Sequence, residues 1–160
     1  MGFDQPSLKG RALRLLSGRE HSRQELERKL ARFEDEPGSL ALALDELQAK
    51  GFISEQRVVE SVLNRRAAKL GAQRIKQELQ TKGLDPLRVA EAVAALRSTE
   101  LARAQAVWLK KFGAAPTEAS EAARQMRFLA ARGFGGDVIR RVVKGAGDVD
   151  GFDAETIDLT

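Results

Sequence analysis

The stretch ELQTKGLDP at Glu78–Pro86 ends one amphipathic helix and begins the next. A basic residue, a glycine and a large apolar residue in succession are typical of a helix that stops at a left-handed glycine. Asp85 before Pro86 is typical of an N-cap followed by the first helical residue. Related stretches are ELQAKGF at Glu46–Phe52 and FLAARGF at Phe128–Phe134. Three copies suggest that one small helical unit is repeated along the chain.

A shift of 50 residues aligns the second copy with the third and carries the flanking helices with it. The shift places Leu79 on Leu129 in the helix that ends at the glycine. Apolar positions of the helices before and after it coincide as well: Val58, Val59 and Val62 with Trp108, Leu109 and Phe112, and Val89, Ala92 and Val93 with Ile139, Val142 and Val143. Lys50-Gly51-Phe52 is out of phase, so it is expected to end a third helix of its unit instead of a second.

Apolar residues elsewhere recur at intervals of three and four, which predicts amphipathic helices and no strand. Ser22 and Glu25 have the spacing of a capping box at the start of one helix. Nine helices are expected, over 11–17, from Ser22 to Phe33, 40–50, 54–70, 72–82, from Pro86 to Leu96, 101–112, 118–132 and 137–144.

These nine helices fall into threes. The predicted fold is all-α, an elongated tandem repeat of three three-helix bundles of helix-turn-helix-like form. The predicted units are 1–53, 54–97 and 98–146, followed by an acidic tail at 147–160 that is expected to be disordered. An alternative for the tail is that it folds back on a basic face and competes with a partner.

Composition excludes several classes of protein. The chain of 160 residues has no cysteine, so disulfides and thiolate metal sites are impossible. It has no run of 18 apolar residues, and its first ten residues lack an apolar signal core. We therefore expect a soluble, cytoplasmic protein with no membrane association.

The positive charge is unevenly distributed. The segment 147–160 holds five acids and no base, which leaves 27 bases against 18 acids in the rest of the chain. Residues 1–53 carry nine of each, whereas 54–97 carry nine bases and five acids, and 98–146 nine and four. A basic excess in the later two thirds favours a polyanionic partner there.

Basic residues of the second and third units define the predicted interface. On helices whose apolar stripes face inward, most of these cations must point outward and could form one basic surface for a nucleic acid or a protein partner. The predicted interface residues are Arg65, Arg66, Lys69, Arg74, Lys76, Lys82, Arg132, Arg140, Arg141 and Lys144. Trp108, Phe112 and Phe128 have helical spacing and are assigned to cores, so contact would be to the backbone of DNA with weak sequence preference. The alternative is a solvated surface of local pairs, such as Arg74 with Glu78.

No catalytic constellation is recognisable. His21 is the one histidine, and its place before the Ser22 cap predicts an exposed residue. Tyrosine and cysteine are absent, and the carboxylates show no metal-ligand spacing. The chain is therefore expected to be neither an enzyme nor a holder of a metal or cofactor.

The order and spacing of several motifs resemble the bacterial RecX family. The likeness runs from about Lys9 to Gly145 and includes SRQELERKL, the long stretch LDELQAKGFISEQRVVESVLNRRAAKLGAQRIKQELQTKGLD, and FLAARGF. Its specific core consists of Arg65, Arg66, Gly71, Arg74, Ile75, Glu78, Leu79, Lys82 and Gly83.

The resemblance implies three tandem three-helix units and a protein that restrains the recombinase RecA. It implies binding to RecA filaments on single-stranded DNA, inhibition of filament extension, ATP hydrolysis and strand exchange, and a place in DNA repair, recombination and the SOS response. A monomer is expected. Two other functions stay open from the residues alone: a helix-turn-helix DNA-binding module or transcriptional regulator, and a helical adaptor.

Overall fold

The computed structural model describes residues 5–145, and this part of the chain is entirely helical. It contains nine α-helices and one 3₁₀ turn, as the repeat predicts. The α-helices are α1 (Leu8–Gly18), α2 (Arg23–Leu30), α3 (Ser39–Ala49), α4 (Glu55–Arg66), α5 (Ala72–Thr81), α6 (Pro86–Arg97), α7 (Glu100–Lys111), α8 (Ala119–Ala131) and α9 (Gly136–Gly145), with the 3₁₀ turn at Ala31–Phe33. The predicted acidic tail at 147–160 lies outside the described residues.

The helix ends follow the signals in the sequence. Gly51, Gly83 and Gly133 have φ of 82°, 70° and 87°, the left-handed conformation that a C-terminal glycine supplies at low cost. Leu87 donates its backbone N–H to the Asp85 carboxylate at 3.3 Å, so α6 begins at the predicted cap. The stretch ending at Gly51 follows α3, the third helix, whereas the other two copies follow α5 and α8.

The fourth helix ends four residues earlier than its apolar pattern predicts. A helix over 54–70 was expected, but α4 stops at Arg66 and residues 67–70 form turns. Tertiary contacts hold the turns that follow α4. The Arg103 guanidinium donates to the carbonyls of Ala67 (2.8 Å) and Leu70 (2.6 Å), and Gly71 donates its N–H to the Arg132 carbonyl. A distant side chain thus satisfies two carbonyls that have no helical partner, and the Gly71 N–H that could have extended the helix is used elsewhere.

Contacts divide the described residues into two compact units. The first comprises 5–63 and 78–89, and the second 64–77 and 90–145. This division runs through α4, α5 and α6, the helices of the predicted middle bundle. None of the helices within 5–145 combines the length and the apolar character that crossing a membrane requires.

The core of the first unit lies between α1, α2 and α3. Its buried members are Ala12, Leu26, Leu30, Leu40, Leu44, Leu47 and Ile53, with Phe33 packed against them. The leucines of α2 and α3, which recur at intervals of three and four in the sequence, therefore form the core, as amphipathic spacing requires.

Glu25 connects three segments of the first unit. The predicted capping box is present: Ser22 accepts from the Glu25 backbone N–H, and Glu25 accepts from the Ser22 N–H at 3.1 Å. The same carboxylate pairs with Arg19 at 2.6 Å and with Lys82 at 3.1 Å. Burial opposes its ionisation, but these three donors prevail and lower the pKa of Glu25 to about 2.

His21 corrects an expectation. The sequence predicts an exposed histidine before the cap, and the prediction is wrong, because only 2% of the residue is exposed. Its Nδ1 lies 3.0 Å from the Arg19 carbonyl and its Nε2 3.1 Å from Lys29 Nζ. Burial lowers the pKa of His21 below its ordinary value, although its bond to the Arg19 carbonyl opposes that shift.

The second unit packs α7, α8 and α9 around a separate core. Its buried members are Ala104, Leu129, Phe134, Ile139, Val142 and Val143, with Trp108 and Phe128 packed against them. The indole Nε1 of Trp108 donates to the buried Gln125 at 2.8 Å. Of the three aromatic residues assigned to cores by their spacing, Trp108 and Phe128 pack against this core, whereas Phe112 is not part of it.

Two glycine backbones meet in the second unit. Gly71 donates its N–H to the Arg132 carbonyl at 2.8 Å, and Gln73 donates to the Gly133 carbonyl at 3.2 Å. A Cβ on Gly71 would lie 2.4 Å from backbone atoms of Gly133 and Phe134. Only a glycine at position 71 allows the backbones to approach so closely.

We predict that Gly71→Ala destabilises the second unit by about 2–3 kcal/mol, because backbone atoms must move to admit a methyl group. Urea unfolding followed by circular dichroism measures the change. Gly18→Ala is the matched control, since nothing lies within 4 Å of its Cβ position. Equal urea midpoints for the two variants would contradict the close contact.

We predict that Glu25 makes the first unit sensitive to acid. Its pKa is lower in the folded state than the ordinary 4.5, so its stabilisation is complete above about pH 5 and is lost as the pH falls towards 2. The loss amounts to at most about 3 kcal/mol. Thermal unfolding of Glu25→Gln should therefore differ from that of the parent at pH 7 and converge with it near pH 2. Glu36→Gln, an exposed change in the same unit, is the control and should unfold like the parent at both pH values.

Candidate nucleic-acid interface

The predicted interface cations differ in exposure. Arg65, Arg66, Lys69, Arg74, Arg140, Arg141 and Lys144 are exposed, whereas Lys76, Lys82 and Arg132 are half-buried. Nine of the ten belong to the second unit, and Lys82 belongs to the first.

Arg74, Arg140 and Lys82 are among the predicted cations that have protein partners. Arg74 donates to the Ala131 carbonyl at 3.1 Å, at the C-terminal end of α8. Arg140 pairs with Asp137 one turn earlier on α9. The Lys82 side chain is only 12% exposed and pairs with Glu25. The contacts of Arg74 and Lys82 join separate segments of their units, whereas the exposed Arg140–Asp137 pair lies within α9.

The second unit contains a basic cleft that brings predicted and unpredicted cations together. The cleft has a volume of about 560 Å³, and no acidic residue lines it. Its lining residues are Ala68, Lys69, Ala106, Val107, Lys110, Lys111, Phe128 and Arg132. Lys69 and Arg132 belong to the predicted interface, whereas Lys110 and Lys111 do not.

An aromatic ring forms part of the cleft wall. The Arg132 guanidinium lies 4.9 Å from the centroid of the Phe128 ring, and Lys111 Nζ lies 5.5 Å from it. Phe112 meets the same ring edge-on, with 5.3 Å between centroids. Cation–π contacts hold the two charged side chains beside the ring instead of leaving them to move freely in solvent.

Arg103 and Glu100, at the start of α7, fix the turn that carries Lys69. Arg103 donates to Ala67 and Leu70, and also to the Leu96 carbonyl at 2.9 Å. Burial lowers the pKa of this guanidinium, while the nearby Glu100 carboxylate raises it. Arginine still remains charged at neutral pH. Glu100 is buried and accepts from the Ala72 backbone N–H at 3.1 Å.

The arrangement is suited to binding an anionic chain. Four cations converge on one cleft with no acid among its lining residues, and apolar atoms form its floor. If all four met phosphates of a single strand, the logarithm of affinity would fall with that of salt concentration at a slope of about −3. No cluster of potential metal ligands occurs among residues 5–145.

The predicted interface omits Lys110 and Lys111, which lie between Trp108 and Phe112, two residues that their spacing assigns to cores. The one available signal was a pair of lysines in the last turn of an amphipathic helix. The apolar stripe of α7 does not indicate which residues lie near its C-terminal end. Lys69, in the turn after α4, lines the same cleft as these two lysines only in the folded unit.

Family models match most of this chain in three successive segments. Residues 9–39 match the first three-helix domain of RecX, residues 54–93 the second, and residues 98–143 the third. The three segments occur in the order in which the family arranges them.

Full-length relatives agree with the family models. The chain is 53% identical over 140 residues to the regulatory protein RecX of Leptothrix cholodnii, covering 88% of this chain and 89% of the relative. It is 51% identical over 140 residues to the regulatory protein RecX of Herminiimonas arsenicoxydans, covering 88% and 93%.

Solved structures support the same fold. The crystal structure of RecX from Lactobacillus salivarius superposes with a TM-score of 0.72 at 19% identity, covering 88% of this chain and 94% of that one. At that identity the likeness shows the fold alone. With the matches in sequence, it establishes that the chain is a member of the RecX family of regulatory proteins, built from three tandem three-helix domains.

Proposed function

We propose that this protein binds the RecA filament on single-stranded DNA and inhibits its extension, its ATP hydrolysis and its strand exchange. The basic cleft of the second unit carries the proposal, because it gathers four cations without an acid among its lining residues. Because the chain belongs to a family of regulatory proteins, we propose a regulatory role. RecA is proposed as the partner because the resemblance to RecX implies it.

The cleft is proposed as the centre of the interface, with the exposed predicted cations around it. Arg65, Arg66, Arg141 and Lys144 belong to the same unit and are exposed. Contact through phosphates or acidic side chains would make inhibition weaker at high salt. Contact to the DNA backbone instead of the base edges would give weak sequence preference. The protein is proposed to act as a cytoplasmic monomer without catalysis of its own.

The first test titrates this protein into RecA that is hydrolysing ATP on single-stranded DNA, at two salt concentrations. The expected result is inhibition that weakens as salt increases. Inhibition well below one molecule per RecA would indicate filament capping or binding that spans many subunits. Inhibition that needs equal amounts would indicate binding along the filament side. No inhibition with DNA binding retained would refute the RecA proposal and favour a DNA-binding module.

We predict that Lys69→Gln/Lys110→Gln raises the concentration needed for half-inhibition about tenfold, because two of four cleft charges are lost. Both side chains are exposed, so the helices should remain intact by circular dichroism. Arg97→Gln/Arg127→Gln removes the same charge from exposed positions that do not line the cleft. Equal inhibition by the two variants would exclude the cleft as the interface.

A further inference from the structure

In addition to the cleft of the second unit, the protein has a basic groove in the first unit. The charge count along the sequence does not reveal this groove. The groove has a volume of about 680 Å³ and lies between α1 and the segment formed by α2 and the 3₁₀ turn. Half of its ten lining residues are cationic and none is acidic. The cations are Arg11, Arg14, Arg28, Lys29 and Arg32.

The neutral count of residues 1–53 conceals the groove because five of the nine acids in this span pair with cations that do not line it. Lys9 pairs with Glu46, Arg23 with Asp45 and Glu27, Arg57 with Glu20, and Arg19 and Lys82 with Glu25. Among the described residues, no ion pair involves a cation of the groove. Charge is therefore balanced over the span but not within the groove.

The partners that the groove cations do have are neutral. Arg11 donates to the side-chain oxygen of Gln5 at 3.0 Å, and Lys29 lies 3.1 Å from the ring nitrogen of His21. Arg28 is 3.5 Å from the Thr81 carbonyl. Burial lowers the pKa of His21, so this imidazole does not compensate for the lysine charge or add a cation at neutral pH. Arg11, Arg28 and Lys29 therefore have contacts that do not neutralise their charge.

A stacked platform forms one wall of the groove. The Arg11 guanidinium lies 3.7 Å above the centroid of the Phe33 ring, and the Arg32 guanidinium lies 4.6 Å from it. A guanidinium stacked on a ring has a second flat face, and nucleobases stack on such planes. The carboxylates of an acidic peptide would pair with the cations, but they have no flat ring to stack on the guanidinium. The platform therefore favours a nucleic acid over an acidic peptide.

We propose that this groove binds single-stranded nucleic acid, with backbone phosphates on Arg14, Arg28 and Arg32 and a base stacked on the Arg11–Phe33 platform. Its volume is that of a site for one drug-sized molecule, which corresponds to about two nucleotides of a strand. The groove shares no residue with the cleft of the second unit, and the proposal does not depend on any action on RecA.

The first test measures binding of a fluorescent oligothymidylate to the full chain by anisotropy across a range of salt. Arg14→Gln/Arg28→Gln should weaken binding about tenfold at low salt and make the salt slope shallower by about 1.4, the effect of two phosphate contacts. The control is Lys50→Gln/Arg97→Gln, which removes two exposed cations that do not line the groove. Equal affinities and slopes for the two variants would overturn the proposal.

The second test locates the base. Irradiation of a complex with an oligonucleotide containing 5-iododeoxyuridine should give adducts in peptides that line the groove. Phe33→Leu, which removes the ring beneath Arg11, should reduce these adducts while circular dichroism shows the helices retained. Adducts confined to residues 98–145 would overturn the proposal.

A polyglutamate peptide of equal charge serves as the competing ligand. It is expected to bind more weakly than the oligonucleotide and to be unaffected by Phe33→Leu. If it bound as tightly and lost as much affinity in Arg14→Gln/Arg28→Gln, the groove would be a site for acidic peptides, and the proposal would be wrong.

Discussion

The contact between the backbones at Gly71 and Gly133 is the constraint on which the second unit depends. It joins the turn before α5 to the turn after α8 through backbone hydrogen bonds, at a distance that no side chain could occupy. Two side chains of α7 bind the same turn. Arg103 donates to backbone carbonyls of the turn, and Glu100 accepts from the backbone N–H of Ala72. Because the turn also carries Lys69, the position of a cleft cation follows from backbone packing.

Charged side chains have two different roles in this protein. Around Glu25, largely buried opposite charges hold three segments together. Lys82 is one of these charges, although the sequence assigns it to the interface. In the cleft and in the groove, cations stand beside an aromatic ring without an acid in the lining. Cation–π stacking fixes a charged side chain without neutralising it, so such sites remain able to bind an anion. Phe33 and Phe128 have this role in the two units.

Much of the fold could be predicted because its signals are local. Ser22 and Glu25 fix one helix start, Asp85 and Pro86 another, and the spacing of apolar residues gives the helix count and the core stripes. The failures have a common cause. The end of α4 and the burial of His21 depend on tertiary packing. Arg103 and the Arg132 carbonyl bind the turn after α4, and His21 is buried within the first unit although its place before an N-cap gives no sign of that packing.

The sequence by itself determined the all-helical class, the repeated unit, the left-handed glycine stops and the family. Each of these depends on residues within a few positions of one another or on a register shared by whole helices. Only the tertiary structure decided which cations lie in a site without acids, because that depends on which acids the fold brings near them. Residues 1–53 are neutral by count yet contain a groove without acids, and Lys110 and Lys111 gain their place beside Lys69 only when α7 packs against the turn after α4.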